Sequence, residues 1–255
     1  MTQLSEISIF PIKSLGSLHL QSSAVLPSGA LKGDREFAIV DETGRVVNAK
    51  RTAKIHAIRS HYEWLNRSVT LSTTGLTTAT FHLDGDRAEI GAWLGDFFKF
   101  KVHLEQNEEM GFPDDPDSPG PTIVSTQSLH CVASWLDKMT LGEVRSRFRT
   151  NLELDAPEAF WEDQLFGTAD QLKRFTIGRV GFHGVNPCQR CIVPTRDSVS
   201  GEVTAAFQKT FLKHRTATLP PSVERSRFNH FYRLAVNTRS DHGGVINVGD
   251  IVTIG

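Results

Sequence analysis

The feature that most constrains the fold is a break in the pattern at residues 105–121, "EQNEEMGFPDDPDSPGP". This stretch carries four prolines and six acidic residues, and it shows no apolar periodicity, so it predicts a loop or linker. It separates an N-terminal part, residues 1–104, from a C-terminal part, residues 122–255. A chain of 255 residues can bury a sizeable core, either as one large domain or as two modest ones.

The N-terminal part is predicted to consist mostly of strands and turns. In "EISIFPIKSL", Pro11 lacks an N–H for a strand ladder, so the middle of this short β-rich run is predicted to be an edge strand or a bulge. The segment "REFAIVDETGRVVNA" predicts a hairpin, because apolar runs at 37–40 and 46–47 flank the turn "DETG". "IHAIRSHYEWLNRSVTLSTTG" continues as strand, turn and strand. "AEIGAWLGDFFKF" has apolar residues at helical spacing and predicts a short amphipathic helix.

The C-terminal part begins with a predicted helix and ends with predicted strands. "STQSLHCVASWLDKM" has Ser125 or Thr126 as a plausible N-cap. Cys131 lies inside the apolar pattern of this helix, which favours a small buried hydrophobe. The tail "FNHFYRLAVNTRSDHGGVINVGDIVTIG" predicts a strand, a Gly-rich hairpin and a closing strand. Together these patterns predict an α+β fold that is mainly β, with a dominant antiparallel, barrel-like component.

Composition narrows the function classes. The chain is 22% charged with a formal net charge of −1, which gives no support for a general nucleic-acid or membrane-surface role. Its longest apolar runs, such as "EFAIV", are far shorter than the roughly 18 to 20 residues of a membrane span. The N-terminus lacks a basic region followed by an apolar one, so no secretory signal is expected. Three cysteines do not make a disulfide scaffold, and a cytoplasmic location is the expectation.

The most informative short stretch is "CQRCIVPTRD", residues 188–197, which contains Cys188 and Cys191. Structural zinc requires four ligands, and no second C-x-x-C pair or suitably spaced histidine accompanies this one. An iron–sulfur cluster would need four thiolates. Pro194 disfavours the helix that follows a thioredoxin-like redox pair. Redox chemistry, two structural thiols, and one thiolate ligand to a soft-accepting metal remain open, with Arg190 near enough to lower a thiol pKa.

The same stretch, extended to "NPCQRCIVPTRD", resembles the cysteine signature of MOSC domains. This module is shared by the C-terminal part of molybdenum cofactor sulfurases and by the mitochondrial amidoxime-reducing components. Four further stretches resemble the family's motifs in the same order, and the likeness runs from about residue 7 to the C-terminus. They are "IFPIKSLGSLHL", "LKGDREFAIVDETGRVVNAKR", "RFRTNLEL…FWEDQL…LKRFTIG" and "INVGDIVTIG".

The resemblance implies a β-barrel MOSC domain packed with an N-terminal β-rich domain, with the molybdenum cofactor (molybdopterin and Mo) in the cleft between them. Cys191 matches the family's thiolate ligand to molybdenum and is the implied metal ligand and catalytic residue, which leaves Cys188 as a structural thiol. Eight further positions match cofactor contacts, two of them at a helix N-terminus suited to a phosphate. They are Lys13, Ser14, Arg51, Thr126, Ser128, Arg149, Asn151 and Arg190. Asp34 and Arg35 are expected to form an internal ion pair, and Asp163 is expected to have a structural role.

The activity that the resemblance implies is a molybdenum-dependent oxidoreductase that reduces N-hydroxylated or N-oxide small molecules by oxygen-atom transfer. The alternative is a sulfur carrier or a molybdenum-cofactor carrier without turnover. Gln189 stands where the amidoxime-reducing members often have serine, and "IVPTRD" departs from their "I-x-TTVD". A reductase of this length is expected to need a separate electron donor, ferredoxin-like or cytochrome b5-like. The basic segment 207–233 could dock such a donor, line the pocket of the anionic cofactor, or form a solvated loop.

Overall fold

The computed structural model describes residues 1–255, and strands dominate it. Four helices accompany fifteen strands, and none of the helices combines the length and the apolar character needed to cross a bilayer. The helices are α1 (Arg87–Phe98), α2 (Thr126–Ser134), α3 (Leu141–Phe148) and α4 (Phe207–Ala217). The strands are β1 (Gln3–Ile9), β2 (Leu18–Leu20), β3 (Ser22–Val25), β4 (Phe37–Asp41), β5 (Arg59–Glu63), β6 (Ser68–Thr73), β7 (Leu76–His82), β8 (Val102–Gln106), β9 (Ile123–Ser125), β10 (Leu152–Asp155), β11 (Lys173–Ile177), β12 (Val180–Gln189), β13 (Arg233–Ser240), β14 (Gly244–Asn247) and β15 (Val252–Ile254).

The largest sheet joins both parts of the chain. Its eight strands run in the order β15-β11-β12-β13-β9-β10-β1-β2, and only the β9–β10 pair is parallel. The predicted α+β, mainly β architecture is therefore confirmed. Because β1 pairs with β10 and β2, the start of the chain is hydrogen-bonded into the sheet built by residues beyond 121. The predicted division at residues 105–121 stays a prediction.

Three hydrophobic clusters form the core. The first covers one face of the large sheet, and the second lies among β4–β8 and α1. Ile90 and Leu94 of α1 are buried in this second cluster, as the helical spacing predicts. The third cluster is rich in aromatic residues and holds α2, α3 and α4 together, with Phe148 in contact with Phe211 at a ring separation of 5.7 Å. Cys131 is half-buried at the edge of this cluster.

The N-terminus of α2 also agrees with its sequence pattern. Ser125 is the N-cap, and its hydroxyl accepts a hydrogen bond from the Ser128 amide at 3.1 Å. The side chain thereby satisfies one of the amides that an α-helix leaves without an internal partner. This cap fixes where the chain leaves β9 and turns into the helix.

The two predicted hairpins have different outcomes in the structure. The "DETG" hairpin forms, because its arms are joined by the bridge from Val40 to Val46 and the Val47 amide donates to the Ile39 carbonyl oxygen at 2.8 Å. In addition, β4 pairs along its whole length with β8. Glu105 and Gln106, predicted as the start of a loop, belong to β8 because they pair with Ala38 and Phe37. At the C-terminus, β14 pairs with β3 and not with β13. Tertiary pairing outweighs the local turn at this C-terminal hairpin.

A buried ion pair links α4 to the segment before β11. Arg215 and Asp163 contact each other with side chains only 1% and 3% exposed. The Arg215 guanidinium also lies over the rings of Phe160 at 4.0 Å and Phe228 at 5.3 Å. Asp163 thus has the structural role that its sequence context favours. Part of the basic segment 207–233 is therefore interior, because α4 buries Phe207, Phe211 and Arg215.

We expect Arg215→Met to lower the free energy of unfolding by about 3–5 kcal/mol, because the variant leaves the Asp163 charge buried without its partner. Lys213→Met removes a cation from the exposed side of the same helix and is expected to change it by less than about 0.5 kcal/mol. Urea denaturation followed by circular dichroism measures both. Equal losses in the two variants would contradict a special role for the buried pair.

Candidate functional site

The main cavity is a cleft of about 540 Å³ over the middle of the large sheet. The strand register explains its position. Pro187, Val236, Ile123, Leu152 and Ile7 form one row across five neighbouring strands. Residues next to this row line the cleft, among them Asn186, Cys188, Asn237, Thr122 and Asn151. The opposite wall comes from three connections in the N-terminal half, β1–β2, β3–β4 and β4–β5, and from the proline-rich loop before β9.

Cys191 lies on the cleft just beyond the end of β12. The pairing of that strand with β13 is shifted in register at two points near its end. The chain then forms a single helical turn, Val193–Thr195, with Pro194 near its N-terminus. The thiol of Cys191 is half-buried against the second hydrophobic cluster, beside Val193. Cys188 also lines the cleft but packs against the third cluster. The two thiols therefore share one cleft and rest on different parts of the core.

Arg190 lies between these cysteines and contacts the first of them. Its Nη1 donates to the Cys188 sulfur at 3.2 Å, and its Nη2 donates to the Phe148 carbonyl oxygen. The guanidinium also lies 5.3 Å from the centre of the Phe148 ring. Arg190 is thus held by backbone, sulfur and aromatic contacts together. The cation that the sequence places near a thiol pairs with Cys188, not with Cys191.

Arg147 braces the loop that carries Cys191. Its Nη1 donates to the Thr204 hydroxyl at 2.8 Å and lies 3.5 Å from the Pro194 carbonyl oxygen. Its other face is paired with Glu143 one turn back on α3. Because these partners come from α3 and from two points of the segment after Cys191, the buried Arg147 side chain fixes that segment against the helix. Sequence reasoning did not select this residue.

Arg149 is the one cleft arginine whose guanidinium has no protein hydrogen-bond partner. It follows α3 in the left-handed conformation, at φ 53°, and its guanidinium stacks 4.1 Å from the centre of the Phe10 ring. Its Nη2 is buried without a hydrogen-bond partner, and no carboxylate lies within ion-pair distance. Burial, with the neighbouring positive charge of Arg35, lowers the pKa of Arg149 to about 10. The side chain stays charged at neutral pH and is available to an anion.

Lys13 and Ser14 reach the cleft from the connection between β1 and β2. The Lys13 ammonium donates to the Phe112 carbonyl oxygen and to Asp114, both at 2.7 Å, and burial lowers its pKa. Ser14 has a positive φ of 74°, and its hydroxyl accepts from the Ala49 amide at 3.2 Å. The Ser14 bond holds the connection against the segment after β4, and the Lys13 bonds hold it against the proline-rich loop. Asp34 and Arg35 nearby form the ion pair that the sequence favours.

The lining is strongly cationic. Seven lysine and arginine side chains face three aspartates in the cleft, although the chain as a whole has a formal charge of −1. The cations are Lys13, Arg35, Lys50, Arg147, Arg149, Arg190 and Arg233, and the aspartates are Asp34, Asp114 and Asp115. A concave surface with this excess of one charge attracts and orients anionic ligands.

The structure brings six of the nine sequence-selected site residues to the cleft. They are Lys13, Ser14, Arg149, Asn151, Arg190 and Cys191. The amide of Asn151 is already occupied, because it donates to the Ser8 carbonyl oxygen at 3.1 Å and accepts from the Thr122 amide at 3.2 Å. Asn151 therefore holds the strands together at the cleft.

The structure does not bring Arg51, Thr126 and Ser128 to the cleft. Arg51 is exposed, and its neighbour Lys50 lines the cleft instead. Ser128 is fully buried, and its hydroxyl donates to Glu162 at 2.9 Å. Thr126 lies within hydrogen-bond distance of Ser5 and Glu153. The helix N-terminus that suited a phosphate is thus closed by its own cap and by a buried carboxylate. These three residues therefore do not line the cleft, contrary to the expectation from the sequence.

Sequence reasoning also missed several residues that line the cleft. They are Asn48, Lys50, Arg147, Asn186, Asn237 and, as a named residue, Arg233. Arg233 lies at the end of the basic segment 207–233, and its Nη1 donates to the Pro187 carbonyl oxygen at 2.6 Å. One of the roles considered for that segment, lining the pocket of an anionic cofactor, pointed to this position. Asn186 and Asn237 gave no signal, because a cross-strand amide pair is visible only once the register is known.

Comparison with known proteins identifies the two parts of the chain. The sequence profile described as "MOSC N-terminal beta barrel domain" matches residues 1–108, and that described as "MOSC domain" matches residues 121–253.

Similar proteins include molybdenum cofactor sulfurases of two mosquitoes. "Molybdenum cofactor sulfurase 1" of Aedes aegypti is 26% identical over 241 residues, which cover 78% of this chain and 30% of that protein. "Molybdenum cofactor sulfurase 2" of Culex quinquefasciatus is 30% identical over 252 residues, covering 83% and 32%. The chain thus spans about a third of the length of the curated relatives it matches. Among solved structures, the YuaD protein from Bacillus subtilis covers 100% of this chain and 96% of its own at 9% identity, with a TM-score of 0.42, which supports no further inference.

The buried partner of Ser128 predicts a pH dependence of stability. Burial, together with the charge of Asp163, raises the pKa of Glu162 from 4.5 to about 7. The folded state then keeps a proton that the unfolded state has lost, so the free energy of unfolding falls as the pH rises from about 4.5 to about 7. Glu162→Gln removes this titration, so its free energy of unfolding, measured by urea denaturation, should fall less between about pH 4.5 and about pH 7. Glu158→Gln, at an exposed site, is the control, and an equal flattening there would contradict the assignment.

Proposed function

Because the chain belongs to the MOSC family, we propose that its cleft binds the molybdenum cofactor, with Cys191 as the thiolate ligand of the metal. The observation that carries this proposal is the guanidinium of Arg149, which is stacked on Phe10, charged and without an anionic partner. An arginine placed in this way fits a phosphate group, because its planar donors pair with phosphate oxygens.

The residues of the cleft fit such a cofactor in three respects. The volume of about 540 Å³ falls in the usual range of cofactor pockets, about 300–1,000 Å³. Lys13, Arg149 and Arg190 supply cations for an anionic group. Cys191 supplies a soft sulfur donor on the same surface, which suits a transition metal such as molybdenum.

Each of these residues has a definable task. Cys191 must lose its proton to act as a ligand. Arg147 holds the loop of Cys191 through Pro194 and Thr204, and Asn151 fixes the strands below it. Val193 and Pro194 give the metal side of the cleft an apolar wall. When bound, the cofactor supplies oxygen-atom transfer coupled to two electrons.

The activity that we favour is the reduction of N-hydroxylated or N-oxide small molecules, with electrons from a separate donor protein. It is supported by the cysteine motif on the cleft and by the resemblance of that motif to the amidoxime-reducing members of the family. A carrier of sulfur or of the cofactor is the second candidate. Two observations favour it: the curated relatives are named sulfurases, and a second thiol, Cys188, lines the same cleft beside Arg190.

We expect Cys191→Ala to lose most of its molybdenum when it is purified from a host that makes the cofactor, because the variant lacks the protein's ligand to the metal. The wild type should carry near-stoichiometric metal and pterin, measured by mass spectrometry of the metal and by pterin fluorescence. Cys131→Ala, with its thiol at the edge of the third cluster, is the matched control and should keep both. Molybdenum retained by folded Cys191→Ala would refute the ligand assignment.

Arg149→Met is expected to lower the retained pterin by at least about tenfold, since it removes a charge-assisted contact to the phosphate. Arg51→Met is the matched control: the same change at an exposed arginine outside the cleft, with pterin content expected to be unchanged. Loss of pterin in Arg51→Met, with none in Arg149→Met, would favour the placement expected from the sequence and overturn the one proposed from the geometry.

Two measurements on the wild type separate the candidate functions. Reduction of a benzamidoxime by the loaded protein with a chemically reduced viologen dye would support the reductase. Intact-mass spectrometry without reducing agents would instead support the sulfur carrier if Cys191 gained the mass of one sulfur atom while molybdenum was absent. A loaded protein that shows neither reduction nor added sulfur would favour the cofactor carrier.

A further inference from the structure

One wall of the cleft is a loop, residues 113–119, whose two ends are fixed to the main chain. Before it, the Phe112 amide donates to the Arg35 carbonyl oxygen at 2.9 Å, and after it, the Gly120 amide donates to the Thr238 carbonyl oxygen at 3.1 Å. A Cβ at Gly120 would lie 2.4 Å from that same Thr238 oxygen, so the backbones approach too closely for any other residue. The loop is thus held at the cleft by its ends.

Between these ends, a single side chain of the loop is ion-paired to the cationic surface. Asp114 contacts Lys13 at 2.7 Å and Lys50 at 3.3 Å, and these two lysines come from separate connections in the N-terminal half. The neighbouring Asp115 also lines the cleft but forms no ion pair, and its carboxylate accepts from the Asp117 amide at 3.1 Å. Among the side chains of this loop, Asp114 is therefore the one that neutralises cations of the cleft.

We propose that Asp114 is a specificity-determining residue that occupies the Lys13–Lys50 site as an internal anion, so that an anionic ligand must displace its carboxylate to bind there. This inference rests on the proposed function, because it concerns the anion that the cleft receives. The carboxylate holds the two lysines in place while the cleft is free of ligand. It also sets a threshold, since a ligand must offer more negative charge than the carboxylate that it replaces.

The hydrogen bonds of Lys13 support an exchange of this kind. An ammonium has three N–H donors, and the loop takes two of them through Phe112 and Asp114. The bond to the Phe112 carbonyl oxygen belongs to the fixed end of the loop, whereas the bond to Asp114 depends on one half-exposed side chain. Exchange of Asp114 for a phosphate oxygen would therefore leave Lys13 anchored and leave the main chain of the loop in place.

The test measures binding of inorganic pyrophosphate to the full chain, purified from a host that makes no molybdenum cofactor, by isothermal titration calorimetry at neutral pH. Asp114→Asn keeps the size of the side chain and removes its charge. It is expected to lower the dissociation constant for pyrophosphate about fivefold, because this factor corresponds to the free energy of about one partly exposed ion pair. Asp115→Asn removes the same charge from the same cleft without breaking an ion pair, and it is expected to change the constant by less than about twofold.

The outcomes separate this inference from the proposed function. Equal gains in the two variants would overturn it, because they would reflect the net charge of the cleft alone. An unchanged dissociation constant in Asp114→Asn would also overturn the inference. The anion site itself would still stand if Arg149→Met, made in the wild type and in Asp114→Asn, abolished pyrophosphate binding in both. Failure of the wild type and of Asp114→Asn to bind pyrophosphate at all would overturn the anion site itself, and the inference with it.

Discussion

The pairing of β1 with β10 is the interaction on which the site depends. It brings the first strand of the chain into the sheet formed by the C-terminal half. The antiparallel direction continues beyond the strands, because the Ser8 amide donates to the Asn151 carbonyl oxygen at 2.7 Å. Residues that follow β1 therefore lie beside residues that precede β10, and Phe10 meets Arg149. Without this register the cations of the two halves would not share a cleft.

Bringing these cations together has an electrostatic cost that the protein offsets locally. Arg35 is paired with Asp34, Arg147 with Glu143, and Lys13 with Asp114. Carbonyl oxygens and aromatic rings hold Arg190, and a carbonyl oxygen and an amide hold Arg233. Arg149 has only the ring of Phe10, so its charge is the least compensated in the cleft. An unpaired buried polar group is expensive, and a bound anion is the natural means of removing that cost.

Local signals predicted the elements better than the contacts between them. Helix α1 and the Ser125 cap of α2 depend on spacing and on a side chain three residues away, so the sequence was sufficient for both. The turn after β4 predicted one partner of this strand, but the second partner, β8, could not be predicted from it because β8 comes from a distant part of the chain. The same limit applies to Lys50 and Arg51. The motif indicates this stretch of the chain, but only the fold shows which of the two adjacent cations lines the cleft.

The environments of the two cysteines bear on the question that their spacing left open. Cys188 lies on β12, packs against the helical cluster and accepts a hydrogen bond from Arg190 at 3.2 Å. Cys191 lies beyond the strand and packs against the cluster of the N-terminal half. Arg190 therefore holds the first sulfur to the α3 side, through the Phe148 carbonyl oxygen. The second sulfur has no such partner and faces the cleft from a loop braced by Arg147. Two thiols in such different surroundings favour different tasks, which is why a single-thiolate site at Cys191 fits this cleft better than a symmetric pair.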